Sequence, residues 1–157
     1  GCGTGLCAPL LQPWAASLAG VDLSEGMLQQ AVARRVYDEL VCGELVAFLQ
    51  SRPAAWDLVV SADTLCYFGA LDTFAAATAA ALRGPGLLVF TVEAHDDGDG
   101  APDYRLQGHG RYSHRRRYVE ATLRAAGLQP LELQAVQLRM EAGAPVAGWL
   151  VTARRSA

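Results

Sequence analysis

Short apolar runs and stretches of helical period take turns along this chain. Residues 6–18 read as a first helix, made irregular by Pro9 and Pro13, because interior prolines kink or shorten a helix. Residues 19–22 form a short buried strand. Ser24 is a good N-cap, and Met27, Leu28, Ala31 and Val32 then recur at helical spacing until Arg34-Arg35. Residues 37–42 make a second short strand, and Gly43-Glu44-Leu45 turns the chain into a helix through about Leu49. Ser51-Arg52-Pro53 breaks it. Residues 56–62 are short, apolar and β-branched, the pattern of a fully buried strand. An alanine-rich helix follows over 71–82, then a turn at Gly84-Pro85-Gly86 and a strand over 87–92. Residues 95–110 are polar and glycine-rich, hence a loop, and loops of that length are usually functional or mobile. The last helix is expected over 113–126 with Gly127 as its cap. Residues 131–141 and 145–154 close the chain as two strands joined by Glu141-Ala142-Gly143-Ala144.

Strands that alternate with helices form a parallel sheet, and two final strands in sequence add an antiparallel hairpin. The expected fold is therefore α/β, a doubly wound, mostly parallel sheet with helices on both faces and a C-terminal antiparallel hairpin. One domain over residues 1–157 accounts for the pattern, with no internal repeat.

Composition narrows the class. Apolar residues make up 52% of the chain and charged residues 18%, the balance of a folded globular protein. A net charge of −3 gives no reason to expect a nucleic-acid partner. No apolar run reaches the roughly 18 residues of a membrane span. Cys2, Cys7, Cys42 and Cys66 lack metal-site or C-x-x-C spacing, so no metal site is expected. All four read as buried, reduced thiols of a cytoplasmic protein.

The candidate chemistry begins at Gly1-Cys2-Gly3-Thr4-Gly5. Glycine takes positive φ without strain and lets a ligand touch the main chain. Asp22 follows at roughly 20 residues, the separation between a nucleotide-binding glycine turn and the acid that holds a ribose. The pattern is G-x-G-x-G, and Leu6 stands where a dinucleotide site has its third glycine. A chain that opens inside such a motif lacks the buried strand that normally precedes it. The expectation is therefore a longer natural N-terminus.

These stretches resemble the class I S-adenosylmethionine-dependent methyltransferases, and most closely the methyltransferase domains of tetratricopeptide-repeat proteins. The supporting motifs are the glycine turn, Val21-Asp22-Leu23-Ser24 with Met27-Leu28, Tyr37-Asp38 leading to Gly43-Glu44-Leu45, Trp56-Asp57-Leu58-Val59, Ala62-Asp63, Leu82-Arg83-Gly84-Pro85-Gly86-Leu87 and Gly110-Arg111-Tyr112-Ser113-His114. The resemblance implies S-adenosylmethionine as cofactor and an upstream repeat region as a partner segment. It places Gly1, Cys2, Gly3 and Gly5 at the cofactor and Asp22 on the ribose hydroxyls, with Leu23 beside it. Met27 would pack on the adenine, which Glu44 and the Leu45 N–H would read. Ala62, Asp63 and Thr64 would line the methyl end.

His109, Tyr112 and His114 are the candidate catalytic groups, because two histidines and a tyrosine can orient or deprotonate a nucleophile. They sit in a cluster with Arg111, Arg115, Arg116 and Arg117 that reads either as a solvated basic segment or as a substrate lid. Arginines at a helix N-terminus oppose its dipole, so an acidic substrate or the acids at 96–99 would compensate them. Two other functions fit less well. One is a catalytically inactive cofactor-binding or protein-interaction module of a larger repeat protein. The other is a nicotinamide-dependent oxidoreductase, against which Leu6 speaks.

Overall fold

The computed structural model describes residues 1–95, 98 and 100–156. The chain divides into two compact units, Gly1–Ser51 and Arg52–Ala157.

The first unit contains α1 (Ala8–Leu11), a 3-10 turn (Gln12–Trp14), β1 (Ala19–Asp22), α2 (Glu25–Ala33), β2 (Glu39–Cys42) and α3 (Leu45–Gln50). The helix expected over 6–18 shrinks to one turn of α-helix and one of 3-10. Pro9 lies at the start of α1, where a missing N–H costs nothing, and Pro13 ends it. β1 and β2 pair in parallel, with Val21 opposite Val41 and Asp22 opposite Cys42. Ser24 caps α2, its Oγ accepting from the Met27 N–H at 3.3 Å. Of the apolar stripe on α2, Leu28 and Ala31 are buried while Met27 and Val32 face solvent.

The second unit contains β3 (Trp56–Ser61), a 3-10 turn (Leu65–Tyr67), α4 (Asp72–Ala81), β4 (Leu82–Ala94), β5 (Tyr104–Leu106), β6 (Tyr112–His114), α5 (Arg116–Ala125), β7 (Leu128–Glu141) and β8 (Ala144–Arg155). β4 is the hub of its sheet. It pairs in parallel with β3 and, at its carboxyl end, with β6, and antiparallel with β8. β7 and β8 form the antiparallel hairpin, and β5 pairs antiparallel with β6. The architecture is α/β, with parallel strands, helical connections and a C-terminal hairpin. Leu88, Phe90 and Val92 alternate into the core of this unit, where Phe90 meets Phe74 edge-on at 6.1 Å. Alanines 75, 77 and 81 bury the small face of α4.

Four expectations are corrected here. The strand over 56–62 is not fully buried, because β3 pairs only with β4 among the described residues and leaves Asp57 and Leu58 exposed. Gly84-Pro85-Gly86 is a bulge inside β4, not a turn before it. Trp56 lies opposite Leu82 and Leu58 opposite Leu87, so the chain between bows out of the ladder. The loop over 95–110 contains strand β5. The last helix starts at Arg116, because residues 112–114 join the sheet at Glu93 and Ala94. Gly127 ends that helix as expected, with φ +78° and its N–H on the Arg124 carbonyl at 3.0 Å.

Candidate active site

In the first unit the glycine turn is tied to the strand that carries the acid. The Cys2 N–H donates to the Val21 carbonyl at 2.9 Å. The Gly3 N–H donates to one carboxylate oxygen of Asp22 at 2.7 Å, and the Ser24 N–H to the other at 2.9 Å. A carboxylate has about four acceptor sites, more than these two donors fill. Gly3 and Gly5 have φ of +54° and +76°. A Cβ on Gly5 would also lie 2.9 Å from the Tyr37 ring, so both conformation and space require glycine there. Arg34 closes the turn from outside, its Nε donating to the Thr4 carbonyl at 2.5 Å.

Leu23 and Met27 flank Asp22 and are 73% and 46% exposed, an apolar shelf beside a carboxylate. The Met27 sulfur lies 3.8 Å from where a Cβ on Gly3 would be. Thus Gly1, Cys2, Gly3, Gly5, Asp22, Leu23 and Met27 lie on the turn, the end of β1 and the start of α2. Glu44 and Leu45 stand at the end of the neighbouring strand β2. Glu44 N-caps α3, accepting from Val46 and Ala47 N–H at 2.8 and 2.7 Å. That cap stabilises the helix by about 1 kcal/mol. It also fixes the carboxylate at the exposed end of β2, with the Leu45 N–H beside it.

Ala62, Asp63 and Thr64 belong to the second unit, just past the carboxyl end of β3. Asp63 takes φ +54°, its N–H donating to Thr91 Oγ1 at 2.9 Å. Its carboxylate pairs with Arg139 Nη1 at 2.7 Å. Arg139 gathers two more acids. It contacts Glu141 at 2.9 Å and donates to Glu93, which is buried at the end of β4. Arg111 holds both oxygens of Glu141 at 2.7 Å each, and this pairing keeps the Glu141 carboxyl below its ordinary range. His109 Nε2 faces the other Glu93 oxygen at 3.5 Å.

The three candidate catalytic residues are not brought together as a triad. His114 is fully buried, its ring stacked on Tyr118 at 6.1 Å and tilted against Tyr104. Its Nε2 is 2.9 Å from the Gly69 carbonyl, so the proton sits on Nε2. Burial pushes its pKa down. In this place His114 is a core histidine and does not reach a substrate. Tyr112 is half-buried, edge-on to Tyr104 at 6.1 Å. His109 alone is open, 40% exposed on the turn between β5 and β6.

Arg111, Arg115 and Arg116 find partners within the protein. The Arg115 guanidinium donates to the Ala101 carbonyl, and Arg116 pairs with Glu120 at 3.0 Å. Asp96, Asp97 and Asp99 lie outside the described residues.

Sequence reasoning missed Arg139, Glu141 and the partnership of Glu93. Nothing local marks them. They meet because β7 and β8 carry Arg139 back to the carboxyl ends of β3 and β4. His95, in the stretch expected to be a plain loop, bridges Ser113 Oγ at 3.0 Å and the Pro102 carbonyl at 2.9 Å.

Residues 1–90 match the family described as "Methyltransferase domain". The chain belongs to the methyltransferase domain family. Solved structures agree on the fold. A putative S-adenosylmethionine-dependent methyltransferase from Listeria monocytogenes has a TM-score of 0.77 at 20% identity, over 100% of this chain and 88% of that one. The 1,6-didemethyltoxoflavin-N1-methyltransferase of Burkholderia thailandensis has a TM-score of 0.80 at 21% identity, over 100% of this chain and 69% of that one. The [4+2]-cyclase SpnF has a TM-score of 0.76 at 18% identity, over 99% of this chain and 72% of that one. The same fold thus also hosts a cyclase. No curated protein sequence matches the chain. Among the described residues no helix is long and apolar enough to cross a membrane.

Proposed function

We propose that this methyltransferase domain binds S-adenosylmethionine on the glycine turn, Asp22, Leu23, Met27, Glu44 and Leu45, and transfers its methyl group to an acceptor by in-line displacement. One observation carries the reading. Asp22 is held by the Gly3 and Ser24 N–H groups beside a positive-φ turn and an exposed apolar shelf. That combination suits a ribose diol next to an adenine ring. The bound cofactor supplies an activated methyl group on a sulfonium. The protein then needs mainly to align the acceptor, and alignment alone is worth as much as roughly 7–11 kcal/mol of a barrier.

The residues 1–157 work as one domain in this reading, since the fold of the Listeria protein covers the whole chain. Ala62, Asp63 and Thr64 remain assigned to the methyl end. Kinship to domains of tetratricopeptide-repeat proteins, with a repeat region upstream, rests on the sequence motifs. A cytoplasmic location rests on four cysteines that all carry free thiols.

Calorimetric titration tests the cofactor. S-adenosylmethionine should bind in the micromolar range and NAD not at all. Binding of NAD alone would return the chain to the oxidoreductase reading.

A further inference from the structure

The acids around Arg139 outnumber the cations. Asp63, Glu93 and Glu141 present three carboxylates, and Arg139 and Arg111 two guanidiniums. His109 faces the second oxygen of Glu93 with Nε2 at 3.5 Å, so this carboxylate stands where it would balance a cation formed on that ring during a reaction. Glu93 is buried and so cannot be screened by water, whereas His109 is open. All of this lies at the carboxyl ends of β3 and β4, beside the start of β6, at the edge where ligands bind in such sheets.

We propose that His109, oriented by Glu93, is the proton acceptor for a neutral methyl acceptor bearing an O–H or ring N–H. With the proton of the neutral imidazole on Nε2, turned towards the Glu93 carboxylate at 3.5 Å, Nδ1 is left as the base. Among the described residues Nδ1 has no hydrogen-bond partner. The acceptor oxygen or nitrogen forms its bond to the methyl carbon. The carbon–sulfur bond breaks and its electron pair stays on sulfur. The acceptor's proton passes to Nδ1, and the imidazolium, held between Glu93 and solvent, releases it to water. Glu93 on β4 faces this ring, and Glu93 is in turn linked through Arg139 to Asp63 after β3 and to Glu141 on β7, which Arg111 holds. An acidic acceptor is disfavoured, because it would add charge to a network already short of a cation. Glu93 and Arg139 are positioning residues. Arg111, Arg115 and Arg116, for which an acidic substrate was one expected counter-charge, have partners within the protein.

The inference rests on the cofactor reading, and two kinds of measurement keep them apart. Nitrogen-15 spectra of the imidazoles, taken without cofactor, should place the His109 proton on Nε2 in the native protein and show mixed tautomers in Glu93→Gln. Mixed tautomers in both would overturn the pairing. Methyl transfer is then measured with phenol, catechol and benzimidazole as neutral acceptors and benzoate as an anionic one. His109→Ala should lower transfer to the neutral acceptors by at least about 100-fold, with added imidazole restoring part of the rate. Its affinity for S-adenosylmethionine should be unchanged. Transfer to benzoate alone, no transfer to any neutral acceptor with cofactor bound, or an undiminished rate in His109→Ala would each overturn the proposal. Absence of cofactor binding in the native protein would instead overturn the reading beneath it.

Discussion

At the scale of single residues, Asp22 and His114 show how one side chain can serve the fold and the site, or the fold alone. Asp22 braces the glycine turn through Gly3 and keeps open lone pairs for a diol. Asp22→Ala should weaken S-adenosylmethionine binding by well over tenfold, since charge-assisted bonds contribute about 1.5–3 kcal/mol each. An unchanged calorimetric affinity would sink the ribose assignment. His114 is buried neutral, and burial holds its pKa below the usual 6.5. The unfolded chain therefore takes up that proton first as pH falls. The native state is at full strength above about 6.5 and loses stability as pH drops below it. His114→Phe keeps the aromatic packing and loses the bond to Gly69. Its urea stability should fall less steeply between pH 7 and pH 5 than that of the native protein. Equal slopes would mean that His114 binds its proton alike in the folded and the unfolded chain.

At the scale of elements, turn chemistry sets register. The β7–β8 hairpin reverses through Ala142 and Gly143, with φ of +48° and +80°. Two positive φ values in a two-residue connection suit Asn-Gly or Gly-Gly, and alanine pays there in strain. Ala142→Asn should raise the melting temperature, by a gain of several tenths to about 1 kcal/mol. A lower melting temperature would show that the turn is not of this type. The helix elements follow a similar logic. Ser24 and Glu44 cap α2 and α3 with their own side chains, whereas Arg115 opens α5 with no side-chain cap. The high amphipathicity of α5 carries it instead, with Val119, Thr122 and Leu123 buried and Arg116, Glu120 and Arg124 paired along the outer face.

At the scale of the whole molecule, the second unit depends on a cation delivered late in the chain. Arg139 joins the loop after β3, the end of β4 and the end of β7. Arg139→Ala would leave Glu93 buried without its guanidinium, the situation that typically costs about 3–5 kcal/mol. Chemical denaturation should register that loss, and Arg139→Lys should recover part of it. A loss below about 1 kcal/mol would mean that Glu93 reaches water in the native state, which would also remove the ground for its pairing with His109.

Local chemistry determined much of this protein from the sequence alone. The glycine spacing, the acid at the end of an apolar step, Ser24 as a cap, Gly127 as a stop and the hairpin at 142–143 are all written in near neighbours. Each of them acts through backbone geometry within a few residues, so composition and spacing suffice to find it. The alternation of strands and helices fixed the α/β class for the same reason. What the tertiary structure decided depends on partners far apart in the chain. Residues 112–114 became a strand because β4 offered them an edge at Glu93, against their helical prospects. The turn at 84–86 was absorbed as a bulge because β3 paired on both sides of it. His114 went into a nest of tyrosines, and Glu93 met Arg139 across 46 residues. Burial and long-range charge pairing depend on which surfaces meet, and no local pattern encodes that meeting.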